Sequence, residues 1–210
     1  GSCRYRLKDF NNSEEDYLKL FKIFKKLNID TFFYVGGNDS MDTVKKLSDY
    51  SIKIDSQIKF IGIPKTIDND LLMTDHTPGF GSAAKLIATT VLETYLDFSV
   101  YLNNGIFILE TMGRDTGWLG ASAILAKLDG KPVVDFIYLP EMYFSIEQFL
   151  EKVKEKYKEQ KKVYIVVSEG IKNEEGKFIA ENEVVSHDNF EHKQLGGVGN
   201  LLRKIIIDFG

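Results

Sequence analysis

The chain has 210 residues, of which 43% are hydrophobic and 28% are charged, so it can bury a sizeable apolar core. Its net charge is only −4, and no basic patch interleaved with aromatic residues stands out, which argues against nucleic acid as a partner. No run of about 18 apolar residues predicts a membrane span.

The single cysteine and the N-terminal sequence indicate the cellular compartment in which the protein is expected. Cys3 is the single cysteine, so no internal disulfide can form, and a reducing compartment is expected. No secretory signal is visible, and we expect a cytoplasmic protein. The histidines His76, His187 and His192 lack metal-ligand spacing, and we interpret them as loop residues.

The first half of the chain predicts helices and strands in alternation: helix 13–27, strand 31–35, helix 41–50, strand 59–63 and helix 81–97. In the first helix, Ser13 and Asp16 resemble a capping box. Apolar residues at helical spacing from Tyr17 to Leu27 predict one buried stripe on that helix.

The second half continues the alternation: strand 106–110, helix 118–128, a strand within 133–139, helix 145–160, strand 163–167, an exposed loop at 172–183 and a closing helix within 195–209. Such alternation predicts an α/β doubly wound fold, with mainly parallel sheets and helices on both faces. A seam near Leu102–Gly105 predicts two domains, residues 1–102 and 103–210.

Four loops that follow predicted strands carry polar residues: GGNDS, PKTIDND, TMGRDTG and SEG. Ligands of doubly wound folds bind at the carboxyl ends of the strands, so we expect these loops to converge on one edge. For each loop alone the ordinary alternative stays open, because any strand must turn into a helix through polar, glycine-rich residues.

In GGNDS, Gly36 and Gly37 allow close backbone approach, and the N–H groups at a helix start favour an anion. Asn38, Asp39 and Ser40 are alternatively helix caps. Asp39 would repel a phosphate unless Mg²⁺ intervened.

PKTIDND carries groups of both signs that phosphoryl transfer needs. Asp68 is a candidate base for an acceptor hydroxyl, Lys65 a candidate cation for the transferring group, and Asp70 a candidate Mg²⁺ ligand. The alternative is an Asx-type turn beside a surface lysine.

In TMGRDTG, Arg114 has the planar fork that suits a substrate phosphate, although a surface arginine paired with Asp115 is the alternative. Glu169 of the SEG loop is a candidate acceptor for sugar hydroxyls, or alternatively caps a chain reversal.

Taken in order, six segments of the chain resemble the phosphofructokinase family: GSCR (1–4), GGNDS (36–40), PKTIDND (64–70), TPGFGSAAK (77–85), MGRDTGW (112–118) and VSEGI (167–171). The resemblance covers nearly the whole chain, and PKTIDND followed by MGR is its most specific part. It implies two Rossmann-like halves, the first binding the phosphoryl donor and the second binding fructose 6-phosphate.

The resemblance implies a role for each matching residue. Asp68 would act as base, Thr66 and Ile67 would line the sugar site, and Glu169 would hold the sugar. Met112, Gly113 and Arg114 would bind the sugar phosphate. Arg4 would touch the donor phosphates, together with Gly36, Gly37, Asn38, Asp39 and Ser40, and Asn38 and Asp70 would hold Mg²⁺.

Two positions bear on the donor. ATP-using members resemble GGDGS and PGTIDND, whereas pyrophosphate-using members resemble GGDDS and PKTIDND. With Asp39 and Lys65, this chain resembles the pyrophosphate type at both positions. A carboxylate at position 39 would exclude the α-phosphate of ATP by like charge, and Lys65 would compensate the charge of the small donor.

The resemblance implies a glycolytic, reversible transfer from pyrophosphate to fructose 6-phosphate, by a homo-oligomer that is a dimer or tetramer. An ATP-dependent kinase is the first alternative. A non-catalytic regulatory subunit is the second, because Asn38 replaces the usual aspartate and Asn104–Gly105 replace an arginine. The family's first glycine-rich loop and its later arginine segment are not found, so we expect the middle of a longer protein, incomplete at both ends.

Overall fold

The structure, a computed structural model, describes residues 5–100, 102, 105–180 and 197–210. These residues form two units, the first running to Thr66 and the second from Ile67 onward. The sequence predicts a division of the chain between residues 102 and 103 into a half that binds the donor and a half that binds the sugar. That division stays a prediction.

The described elements of the first unit are α1 (Glu15–Lys26), β1 (Thr31–Gly36), α2 (Asn38–Lys53) and β2 (Lys59–Pro64). β1 and β2 pair in parallel, with Thr31 opposite Lys59 and Gly36 opposite Pro64. Because α2 is the crossover between these strands, both strands end at the same edge of the sheet.

An aromatic core fixes both helices of the first unit on one face of its sheet. Phe24 of α1 packs against Phe32 with ring centroids 5.2 Å apart, and Phe21 packs against Phe60 and Tyr50. Tyr17 and Tyr50 are fully buried in the same cluster. Tyr17, Phe21 and Phe24 of the predicted stripe therefore form this core, whereas Leu27 at its end is exposed.

The predicted capping box at Ser13 and Asp16 is wrong. The N-cap residue is Glu14, which already has helical dihedrals and makes no side-chain cap hydrogen bond. Asp16 instead accepts a hydrogen bond from the Tyr5 hydroxyl at 2.5 Å. Acidic side chains in the first turn still favour this helix end through its dipole.

The described elements of the second unit are α3 (Phe80–Ser99), β3 (Gly105–Thr111), α4 (Trp118–Ala121), β4 (Lys127–Leu128), β5 (Lys131–Pro132), β6 (Phe136–Tyr138), α5 (Ile146–Gln160), β7 (Lys162–Ser168) and α6 (Val198–Phe209). Its main sheet is parallel, in the order β3, β7, β6. The central strand β7 is buried from Val163 to Ser168, as expected for a strand covered on both faces.

Alternate residues of β7 enter two different cores. Val163, Ile165 and Val167 pack with α5 and α6, whereas Tyr164 and Val166 pack with α3 and the segment after α4. Helices therefore lie on both faces of this sheet. The predicted α/β class with mainly parallel sheets is confirmed.

The single helix predicted over 118–128 is wrong. α4 ends at Ala121, a 3₁₀ turn follows at Ser122–Leu125, and β4 and β5 form a small antiparallel hairpin. Asp129 and Gly130 both have positive φ at its turn, which is the backbone that an Asp-Gly hairpin turn requires. The turn chemistry of this dipeptide overrides the helical apolar spacing before it.

The sequence predicted that the four polar loops lie at one edge of a single sheet, and this is wrong. The loops follow strands that belong to two different sheets. GGNDS and the start of PKTIDND follow β1 and β2, whereas TMGRDTG and SEG follow β3 and β7. The loop predicted at 172–183 has no helix or strand over 172–180, but it is not wholly exposed as predicted, because Ala180 is buried in the core. The rest of it lies outside the described residues. Within the described part of the chain, no helix has the length and apolarity needed to cross a membrane.

Phe149 tests the packing of α5 on the sheet. Its side chain is 1% exposed and touches Tyr138 and Phe144, so Phe149→Ala should lower the free energy of unfolding by roughly 3–5 kcal/mol. Urea denaturation measures the change. Glu155→Ala on the exposed side of the same helix is the control and should stay within about 0.5 kcal/mol. Equal losses in both variants would contradict the packing.

Candidate active site

The first candidate loop joins β1 to α2 through two glycines. A Cβ atom on Gly36 would lie 2.0 Å from the Ser40 Oγ atom, so the tight turn excludes any larger residue there. The N-cap of α2 is Gly37, so none of Asn38, Asp39 and Ser40 takes the N-cap position that their alternative interpretation requires. Unpaired N–H groups in the first turn of a helix favour an anion.

The loop after β2 meets this glycine turn within the first unit. The Lys65 backbone N–H donates to the Gly36 carbonyl at 2.9 Å, and the Lys65 carbonyl lies 3.9 Å from where a Cβ on Gly37 would stand. The Lys65 side chain is exposed, whereas Asp39 and Thr66 are half-buried. Two of the predicted donor-binding residues, Gly36 and Gly37, therefore lie beside the Lys65 backbone.

Asp68 lies in the second unit, in a loop that its neighbour Asn69 closes. Asn69 has a left-handed backbone (φ 60°), which asparagine tolerates better than most residues. Its Oδ1 atom accepts from the Thr77 N–H at 2.9 Å, and its Nδ2 atom donates to the Asp75 carbonyl at 3.2 Å. Asp68 is half-buried and Asp70 is exposed. The Asx-type turn of the alternative interpretation is thus formed by Asn69, which leaves the role of Asp68 open.

The turn after β3 carries Met112, Gly113 and Arg114. Gly113 has φ 127°, and a Cβ there would lie 2.5 Å from the Thr116 carbonyl oxygen and 2.9 Å from the Ser168 Oγ atom. The buried Ser168 hydroxyl donates to the Gly113 carbonyl. This turn therefore depends on a glycine and on a hydroxyl from the end of β7.

The loop after β7 touches the same turn. A Cβ on Gly170 would stand 1.9 Å from the Arg114 carbonyl oxygen, so the two backbones are in contact. The Glu169 Oε1 atom accepts from the Gly113 N–H at 3.3 Å, and the Glu169 N–H donates to the Thr111 carbonyl at 2.9 Å. Glu169 thus links two strand ends.

Three further charged side chains, Arg114, Asp68 and Glu110, act on the Glu169 carboxylate. Burial raises the pKa of Glu169, the Gly113 N–H and the Arg114 guanidinium lower it, and the carboxylates of Asp68 and Glu110 raise it. Two predicted site residues, Asp68 and Arg114, therefore each lie within electrostatic range of a third, Glu169. This grouping is what an acceptor site with a base, a phosphate anchor and a hydroxyl acceptor requires.

Ile67 and Met112, two predicted sugar-site residues, line one mostly apolar cavity of about 250 Å³ together with Leu119. Arg4, His187 and His192 lie outside the described residues. Among the residues that the structure describes, no group of three acidic, histidine or cysteine side chains could hold a metal ion.

Sequence reasoning missed residues that support these loops. The Thr116 Oγ1 atom donates to the Asp68 carbonyl at 3.0 Å, and the Glu110 carboxylate accepts from the Gly199 N–H at 2.9 Å, at the start of α6. Thr116 and Ser168 stand inside the motifs TMGRDTG and SEG, which was the signal available. No local pattern marks Glu110, because its partner lies 89 residues away.

These features define an α/β protein of the class that binds ligands in glycine-rich loops at the carboxyl ends of parallel strands. The family model for phosphofructokinase matches residues 1–205. The chain belongs to the phosphofructokinase family.

The chain is similar to relatives named for pyrophosphate and to relatives named for ATP. The chain is 42% identical over 208 residues to the pyrophosphate–fructose 6-phosphate 1-phosphotransferase of Methylococcus capsulatus, covering 98% of this chain and 49% of the relative. It is 35% identical to ATP-dependent 6-phosphofructokinase 2 of Clostridium perfringens, covering 85% of this chain and 45% of that protein.

Among solved structures, the pyrophosphate-dependent phosphofructokinase of Nitrosospira multiformis superposes with a TM-score of 0.77 at 36% identity. The superposition covers all of this chain and 48% of the chain from Nitrosospira multiformis. The chain thus spans about half the length of the relatives it matches.

Glu169 gives a pH-dependent prediction. Its pKa is raised above 4.5 in the fold, so its ionisation costs native stability as the pH rises from 4.5 through the raised pKa. Glu169→Gln removes this cost and keeps an oxygen for the Gly113 N–H. Urea denaturation across pH should show the variant gaining stability over the parent toward neutral pH, with no gain below 4.5. A gain that shrinks as the pH rises would contradict this interpretation.

Proposed function

We propose that this protein transfers a phosphoryl group from pyrophosphate to the 1-hydroxyl of fructose 6-phosphate. The products are fructose 1,6-bisphosphate and phosphate. The observation that carries the proposal is that Asp68 and Arg114 both lie near Glu169, which accepts from the Gly113 N–H, while Thr116 of the same turn binds the Asp68 carbonyl. Family membership and the names of the most similar relatives support it.

On the acceptor side, Arg114 anchors the 6-phosphate with the backbone of Met112 and Gly113, because a guanidinium fork matches phosphate oxygens. Glu169 accepts hydrogen bonds from the sugar, and Thr66 and Ile67 line its site. Asp68 takes the proton of the 1-hydroxyl as that oxygen attacks phosphorus. The distant phosphate contact orients the reacting hydroxyl toward this base.

On the donor side, Gly36 permits close backbone approach at the glycine turn, and Gly37 and Ser40 offer N–H groups to pyrophosphate at the start of α2. Lys65 offsets charge on the transferring phosphoryl group, and Arg4 is proposed to assist it. The phosphoryl group leaves the bridging oxygen of pyrophosphate for the sugar oxygen, and inorganic phosphate departs.

Magnesium fits the donor residues as an ion held largely by substrate. Asn38 and Asp39 are neighbouring oxygen donors in the first turn of α2, and Mg²⁺ commonly takes one or two protein oxygens plus phosphate and water. Bound there, the ion would neutralise charge on pyrophosphate. A contribution from Asp70 stays a prediction.

The identity of the phosphoryl donor, pyrophosphate or ATP, needs a test of its own, because the chain matches relatives named for each donor. Like charge at Asp39 disfavours an α-phosphate, and Lys65 suits a small donor, so pyrophosphate is favoured. Assays of the full natural protein with each donor separate the two. Sugar-phosphate binding without turnover with either donor would favour a regulatory subunit instead.

We further propose that the protein is a cytoplasmic homo-oligomer, either a dimer or a tetramer. Light scattering would test its oligomeric state.

Substituting the proposed base and the proposed anchor should give different kinetic defects. Asp68→Ala should lower kcat roughly 10²–10⁴-fold, because a general base is lost. Arg114→Ala should chiefly raise KM for fructose 6-phosphate, because its phosphate loses a charged partner. Steady-state kinetics with pyrophosphate measures both.

Asp115→Asn is the matched control, because this exposed carboxylate is next to Arg114 and pairs with Lys172 at 3.1 Å. It should leave both kinetic constants within about twofold, as exposed pairs contribute little. Equal effects of Asp68→Ala and Arg114→Ala on kcat alone would contradict the division of roles.

Removing the two donor-selecting side chains should relax the preference for pyrophosphate. In the double variant Asp39→Gly with Lys65→Gly, the ratio of kcat/KM for ATP to that for pyrophosphate should rise by at least about tenfold, which corresponds to about 1.4 kcal/mol. Asp42→Ala, one turn further along α2 and paired with Lys46, is the control. An unchanged ratio in the double variant would show that other residues choose the donor.

A further inference from the structure

Thr116 links the two loops that carry the proposed base and the proposed phosphate anchor. Its hydroxyl donates to the backbone carbonyl of Asp68 at 3.0 Å, across 48 residues of sequence. Arg114 stands two residues earlier in the same turn. The hydrogen bond therefore joins the Asp68 peptide to the loop of Arg114 within the second unit.

Thr116 is itself held firmly. Its carbonyl oxygen closes the turn against Gly113, where a Cβ would come within 2.5 Å. The next residue, Gly117, donates its N–H to the Glu141 Oε1 atom at 2.7 Å. A hydroxyl carried on a backbone that is constrained at Thr116 and Gly117 is a suitable reference point for another loop.

Asp68 is held from its other side by Asn69. The left-handed backbone and paired amide of Asn69 fix the chain that follows Asp68. The Asp68 peptide thus lies between the Asn69 turn and the Thr116 hydroxyl. Rotation of that peptide would redirect the Asp68 carboxylate relative to Arg114.

We propose that Thr116 is a positioning residue that sets the placement of the Asp68 carboxylate relative to the Arg114 anchor. The inference rests on the proposed function, in which a sugar bound by its phosphate presents a hydroxyl to Asp68. Misplacing a reacting group by about 1 Å costs up to about 10²-fold in rate. The sugar phosphate itself does not depend on this hydroxyl.

The test compares Thr116→Val, which removes the hydroxyl but keeps the branched shape, with Thr116→Ser, which keeps the hydroxyl. In the full natural protein, Thr116→Val should lower kcat with pyrophosphate roughly 10- to 100-fold. The affinity for fructose 6-phosphate, measured by calorimetry, should stay within about threefold because Arg114 is retained. Thr116→Ser should restore most of kcat. Thr116→Ala removes the same hydroxyl if valine prevents folding.

Parent-like kinetics of both hydroxyl-free variants would overturn the inference. So would equal losses of kcat and sugar affinity that Thr116→Ser does not rescue, because they indicate a merely structural role. A parent protein with no turnover would overturn the proposed function along with the inference. That outcome is distinct, since failure of the inference alone leaves the parent active.

Discussion

The proposed acceptor site depends on backbone contact between the ends of two neighbouring strands. Gly170, after β7, lies so close to the Arg114 carbonyl that any Cβ would meet it at 1.9 Å. The buried Ser168 hydroxyl and the Glu169 carboxylate bind the carbonyl and the N–H of Gly113, respectively. Because β3 and β7 pair in parallel, this contact is carried by a covered sheet and not by mobile surface loops.

This arrangement places a carboxylate where burial disfavours its charge. Burial raises the pKa of Glu169, and the Gly113 N–H and Arg114 offset only part of that effect. Such a group is retained where its charge or its hydrogen bonds serve binding, at some cost in stability. The positive φ of Gly113, which other residues rarely adopt, is a second local constraint in the same turn. Both features fall at the residues that the proposed function uses, as expected when a fold supports a site.

The sequence predicted what is local and missed what is tertiary. Apolar spacing identified α5, and β-branched runs identified β1 and β7, because each pattern reports its own element. The Asp-Gly dipeptide at 129–130 is a signal for a hairpin turn. The helical spacing of the apolar residues before it led to the prediction of a helix instead. Strand ends share an edge only within one sheet, and sequence periodicity does not reveal that the strands form two sheets. The motifs located the candidate residues, whereas the hydrogen bond from Thr116 to Asp68 could not be read from either loop alone.

The most direct test of the central claim is a crystal structure of the full natural protein with fructose 6-phosphate bound. The account predicts the 6-phosphate on the Arg114 guanidinium and the Gly113 turn, with the sugar against Glu169. It also predicts the 1-hydroxyl oxygen within about 3.2 Å of the Asp68 carboxylate. A sugar bound away from the β3 and β7 loops, or bound in reverse with its phosphate at Asp68, would contradict the account.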